Sequence, residues 1–280
     1  MTAILGGLGA AFCWAVATLC TSRAGRMIGV PSVLAWVMLT GFLGLAPLAI
    51  TAGVPDAQAS SWAWLAAAGV ANVVGLPLVY AGLRMGKVGI VAAIASTEGA
   101  VTAVIAIAAG ERIGPATGGT LAVIAGGIFL AALAPDRDPI NEEARRAAWL
   151  ATGAALMFGF GLYAAGRVSS EVPAVWVALP PRVLGVAAVA LPLAVSGRLK
   201  LTTPAIPLVV TAGACEVVGF LSFTVGARQA IAIAAVLASQ FAALAALGAF
   251  LLFRERLAGL QLMGVATIVA GVAILTALRS

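Results

Sequence analysis

The 280-residue chain has no histidine, only 9% charged residues and three cysteines. Without histidine there is no His-based nucleophile triad, no haem axial histidine and no histidine metal site. Cys13, Cys20 and Cys215 fall in hydrophobic stretches at unrelated spacings. With no C-x-x-C pair they read as free thiols, and no metal is expected. The chain also lacks a Gly-Lys-Ser/Thr phosphate loop, a Gly-x-Ser-x-Gly turn and a paired-Asp site, so no nucleotide, no other cofactor and no enzymatic activity is expected.

Scarcity of charge decides the solvent. A soluble domain carries about 25% charged residues, whereas this chain is 62% hydrophobic with a mean hydropathy of +1.12. So few charges cannot cover the surface of a soluble fold of this length, and lipid must be the surrounding medium. The 33 glycines fit that reading, because small residues let helices approach closely in a bilayer. The formal charge of +6 is spread singly over short loops, as topology determinants are, and implies no nucleic-acid partner. The N-terminus lacks a basic region and a small-residue cleavage site, so its apolar stretch reads as a span.

A bilayer core needs roughly 17–25 apolar residues per helix. That length criterion, punctuated by Gly, Pro and charge, gives ten segments: 4–22, 33–52, 62–83, 88–109, 117–134, 148–166, 174–196, 206–226, 230–252 and 259–278. One polar stretch, residues 135–147, divides them into five and five. Sliding the sequence on itself by 144 superposes Arg23 on Arg167, Arg84 on Arg228, Arg112 on Arg256 and Glu111 on Glu255. Four arginines precede residue 135 and nine follow residue 144. Chance gives roughly 0.3 arginine coincidences at a fixed offset, against the three found.

The expected fold is therefore all-α and integral to the membrane, with ten transmembrane helices in two five-helix repeats, 1–134 and 148–280, joined by the linker 135–147. Five is odd, so the second copy enters the membrane from the opposite face and the repeats are inverted. Inverted repeats are the usual basis of alternating access, with substrate held near the midplane between them.

Ten spans in two halves, each fourth span ending in an acidic-basic turn, resemble the drug/metabolite transporter superfamily and its EamA-type members. The turns are Gly110-Glu-Arg-Ile-Gly114 and Arg254-Glu-Arg-Leu257. Length and shape are most similar to the YddG-type amino-acid exporters of bacterial inner membranes. Where EamA-type proteins carry a proline in each fourth span, this chain has Glu98 and Ala242. The resemblance implies a multi-pass protein of the bacterial inner membrane that exports small metabolites, neutral or aromatic amino acids first among them. Drugs or other metabolites are the alternative, and an intramembrane enzyme is the alternative of another class. The partners implied are a small-molecule substrate and the lipid bilayer, with a monomer sufficient for transport.

Ionisable groups within a bilayer are costly and need a partner or a wet cavity. Three fall inside spans: Glu98, Arg182 and Glu216. Either acid could bind a substrate amine or a coupling proton, or Arg182 could neutralise one of them structurally. Two acids and one base leave one carboxyl over, which must reach water or stay protonated. Glu216 is the register partner of Asn72, and Gln240 that of Ser96.

Those residues, with Thr97, Ser239, Tyr80, Tyr163 and Trp14, form the expected substrate cavity. Interhelical hydrogen bonding is the alternative role for the hydroxyls, and simple packing that for the aromatics. Trp62, Trp64 and Trp149 lie near span ends, where tryptophan anchors to the interface. Arg84 and Arg228 read as interface anchors, and Glu111 and Glu255 as caps on the helix that follows each turn. The loops after odd-numbered spans hold 11 Lys and Arg against 4 on the other side. That places both termini outside, whereas the resemblance places them inside. A reporter fused at Ser280 decides between them.

Overall fold

The structure, a computed structural model, describes residues 1–85, 91, 94–132 and 142–253, and eight positions scattered over 263–278. Among the described residues all regular structure is helical. The helices are α1 (Thr2–Ile28), α2 (Val30–Ala52), α3 (Ala59–Met85), α4 (Glu98–Ala108), α5 (Pro115–Ala132) and α6 (Glu142–Arg167). They continue with α7 (Ala174–Val195), α8 (Ile206–Ala227), α9 (Ile231–Ala238) and α10 (Phe241–Phe253). The labels count helices rather than spans. Among the described residues six helices, α1, α2, α3, α6, α7 and α8, are long and apolar enough to cross a membrane. Large apolar side chains such as Phe12, Leu43 and Val104 stand exposed on the outer faces, which only a lipid solvent makes favourable. The chain is a multi-pass membrane protein.

Two expected spans are not continuous helices. Ile94 and Ala95 are helical, Ser96 and Thr97 form a turn, and α4 starts at Glu98. In the second half α9 ends at a turn of Ser239 and Gln240, from which α10 starts. Local hydrogen bonds accompany both breaks: the Thr97 hydroxyl donates to the Ile94 carbonyl at 2.7 Å and the Ser239 hydroxyl to that of Ala235 at 3.1 Å. Hydroxyl side chains offer the backbone such alternatives to the helical ladder. A third irregularity, a π-helical turn at Val186–Ala190, interrupts α7 after Pro180 and Pro181, where proline removes ladder donors. Most of the tenth span and the Arg254–Leu257 turn, with Glu255, lie outside the described residues, as does most of the 135–147 linker.

Packing across the two halves is reciprocal. α1 lies along α8, and α3 lies along α6. α4 packs on both α6 and α9, and α9 packs on α1 as well. Where α1 meets α8, a Cβ on Gly6 would stand 2.6 Å from Gly226 Cα, so the two backbones touch. Where α4 meets α9, a Cβ on Gly99 would overlap the Ser239 hydroxyl and the Ala235 carbonyl. Any larger residue there must push the two broken spans apart.

Candidate functional site

The end of the bundle nearest Met1 is filled. A buried cluster including Leu65, Val168, Val172, Val177 and Phe223 occupies it. Above that cluster, Trp62 meets Trp176 edge-on at 5.7 Å, and Trp64 meets Tyr163 edge-on at 5.8 Å. The Ser61 hydroxyl donates to the Glu171 carboxylate. Trp62 and Trp64 are thus half-buried among aromatic partners at one end of the bundle, and Trp149 is exposed.

At the same end Glu111 accepts hydrogen bonds from the backbone N–H groups of Ile231 and Ala232, at 3.1 and 3.3 Å. It thus caps α9, 120 residues away, and not the helix that follows its own turn. Arg228, expected as an interface anchor, donates from Nε to the Ser169 carbonyl at 2.6 Å and ties two loops together.

The other half of the bundle holds a cavity of about 290 Å³. Its walls come from the later half of α1, the early half of α2 and the later half of α3, so it extends toward the Ile28–Val30 junction and away from the filled end. Register partners line it together. Trp14 and Phe158 both line it, as do Asn72 and Glu216. So do Met38 and Arg182, Thr18 and Leu162, and Leu76 and Phe220. Every one of these pairs is separated by 144 in the sequence.

The polar core of this cavity is an ion pair. Arg182 Nη2 lies 3.2 Å from Glu216 Oε2, and Arg182 Nη1 donates to Met38 Sδ at 3.6 Å. The Arg182 side chain is 2% exposed and that of Glu216 is 33% exposed. Glu98, 8% exposed, lines the same cavity from the first turn of α4, where the positive end of the helix dipole favours a carboxylate. Four buried polar atoms have no partner among the described residues: Trp14 Nε1, Asn72 Oδ1, Arg182 Nε and Gln240 Nε2. Three of these residues line the cavity. Unpaired polar groups are costly in a low-dielectric interior, and their concentration here marks the cavity as the polar centre of an apolar bundle.

Residues 1–133 match the EamA-like transporter family. The EamA-like segment spans α1 to α5 and contributes Trp14, Met38, Asn72, Leu76 and Glu98 to the cavity. No curated protein matches the chain. A solved crystal structure, 19% identical, is similar over 99% of both chains with a TM-score of 0.81. At that identity the likeness speaks for the fold of the whole chain, including the half beyond the EamA-like segment.

Of the expected site residues, Trp14, Asn72, Glu98, Arg182 and Glu216 line the cavity. Ser96, Thr97, Ser239 and Gln240 form the two helix breaks and lie outside its lining. Tyr163 is buried against Trp64 toward the filled end, because α6 turns that face to α3. Tyr80 belongs to α3, and its side chain lies outside those described.

Lining residues beyond those expected include Phe220, Phe241, Met38 and Leu76. The register held the signal for three of them. Met38 is the partner of Arg182, while Leu76 and Phe220 lie one helical turn beyond Asn72 and Glu216 on the same faces.

Proposed function

We propose that the whole chain is an EamA-like secondary transporter: ten spans in two inverted five-helix repeats, carrying a small metabolite by alternating access. The observation that carries this reading is the cavity between the halves, lined by five pairs of residues that stand 144 apart. Reciprocal packing of α1 on α8 and α3 on α6 is what a pseudo-two-fold axis in the membrane plane requires. Broken helices at the same depth of both halves are the usual surroundings of a substrate site in inverted-repeat transporters. A bundle filled at one end and hollow toward the other represents one of the two states of such a cycle. In this reading a monomer is sufficient for transport.

The protein belongs, in this reading, to a bacterial inner membrane and exports small metabolites. The resemblance to YddG-type exporters favours neutral or aromatic amino acids, and the aromatic lining of Trp14, Phe158, Phe220 and Phe241 suits their side chains. Other metabolites or drugs are the second reading, favoured by the excess of carboxylates in the cavity. Purified protein in liposomes should exchange labelled solutes from a panel of neutral amino acids and aromatic drugs. If none moves faster than in empty vesicles, the transporter reading fails.

A further inference from the structure

Four of the larger side chains that line the cavity share one kind of seat. Trp14, on α1, lies against Gly219 of α8, where a Cβ would stand 2.7 Å from its Nε1 and 2.8 Å from its Cδ1. Phe158, on α6, lies against Gly75 of α3, where a Cβ would stand 2.5 Å from its Cε1. Met38 of α2 lies against Gly185 of α7 in the same way, at 2.7 Å from Sδ, and Arg182 of α7 against Gly41 of α2, at 3.0 Å from Cδ.

The seats repeat in the register. An offset of 144 carries Trp14 onto Phe158 and Gly75 onto Gly219, then Met38 onto Arg182 and Gly41 onto Gly185. Each half of the chain therefore gives side chains to the cavity wall and glycines that seat the side chains of the other half.

Carbon atoms in contact stay about 3.5–4.0 Å apart. An alanine at position 75 would displace the near edge of the Phe158 ring by about 1 Å, and one at 219 would move the Trp14 indole as far. A close-packed bundle leaves no room on the helix side, and the open side of each ring is the cavity. Separating the helices instead would open the long contacts of α3 with α6 or α1 with α8, whereas two side-chain torsions suffice to swing a ring.

We propose that Gly75 and Gly219 are positioning residues that set specificity: by seating Phe158 and Trp14 they fix the bore of the cavity and the largest apolar body it admits. The inference rests on the transporter reading above and adds the residues that limit its substrate. Neither glycine needs to touch the solute, since each acts through a ring of the opposite half. One methylene of room in an apolar pocket shifts discrimination by about tenfold or more.

The test measures the bore before it measures flux. In full-length, cysteine-free protein, Asn72→Cys places a thiol in the cavity lining, one helical turn from Gly75. Its reaction rates with methyl and benzyl methanethiosulfonate compare a small probe with an aromatic one. Gly75→Ala and Gly219→Ala should each lower the benzyl-to-methyl ratio about tenfold, and adding Phe158→Leu to Gly75→Ala should restore it. Phe158→Leu alone introduces no clash and should raise the ratio. Gly153→Ala lies on the same α3–α6 contact, where its Cβ would meet Leu78 at an ordinary 3.4 Å, and should leave the ratio unchanged. Unchanged ratios in both Gly75→Ala and Gly219→Ala overturn the inference, as does a fall that Phe158→Leu does not repair. In liposomes, with Asn72 in place, the flux of phenylalanine relative to alanine should fall in parallel while alanine flux persists. If both amino acids move and their ratio is the same in the glycine variants, the transporter reading stands and this inference falls. If the labelling ratios change as stated but neither amino acid nor any other solute moves, the rings set the bore and the transporter reading fails alone.

Discussion

Met38 and Arg182 are 144 residues apart, the offset that superposes the two halves of the sequence, and they touch, with Nη1 3.6 Å from Sδ. In the two-repeat reading proposed above, a residue meets its own counterpart only close to the axis that relates the copies. Here the copies differ at that point, a thioether facing a guanidinium, and the neighbouring pair differs in the same way, Asn72 matched by Glu216. The charged member of each pair, Arg182 and Glu216, lies in the second half, and the two form the ion pair.

That pairing predicts a non-additive result. Glu216→Asn alone leaves the buried guanidinium without its carboxylate and should destabilise the protein by about 3 kcal/mol. Adding Arg182→Met gives both halves the same residues at these positions and should recover most of the loss. Thermal unfolding in detergent of the two single variants and the double variant measures the coupling, and additive effects would contradict it.

The crossing of the broken spans predicts sensitivity at Gly99. A methyl group there overlaps backbone and hydroxyl atoms of α9, and overpacking of this kind costs about 1–3 kcal/mol. Gly99→Ala should therefore lower the unfolding temperature clearly, whereas Gly118→Ala, with open space around it, should not. Equal behaviour of the two variants would show that the close approach is not a constraint.

Capping across the halves gives a third expectation. Glu111→Ala removes the acceptor for the first N–H groups of α9 and should cost about 1 kcal/mol. The matching change at Arg112 should leave stability nearly unaltered. A stability scan in detergent resolves the difference, and an unaffected Glu111→Ala variant would remove the cap from the account.

Access to the cavity is directional. In a cysteine-free background, Thr18→Cys should react with a membrane-impermeant maleimide from one face of the membrane only, the face that holds the Ile28–Val30 junction. Leu65→Cys, in the filled end, should stay unlabelled from both faces. Labelling of the Leu65 cysteine in the intact protein would mean that this end is open, and the reactive face of the Thr18 cysteine also reports the orientation of the termini.

Much of this protein is determined along the chain. Hydropathy depends only on composition within a window, so the lipid solvent and the positions of the long spans follow from the sequence alone. The repeat register does too, and it singled out Asn72 against Glu216 and Glu98 against Ala242 before any contact was known. Arg182, Glu98, Asn72 and Trp14 were legible as cavity-lining residues because polar or amphipathic groups inside spans are costly and therefore few.

What the tertiary structure decided depends on helices meeting out of sequence. Hydropathy cannot see that Ser96–Thr97 and Ser239–Gln240 break two spans, because a broken and an unbroken helix of the same residues are equally apolar. Glu111 could be recognised as a capping residue from its turn, but its target lies on the other half and is set by how α4 crosses α9. Trp62 and Trp64 look like interfacial anchors by position, and only the fold shows the aromatic partners that α7 and α6 bring to them. Least legible of all was the pairing of the charges, with Arg182 buried and Glu216 its more exposed partner. The sequence could count two acids and one base; only the packing of α7 on α8 determines which acid pairs with the arginine.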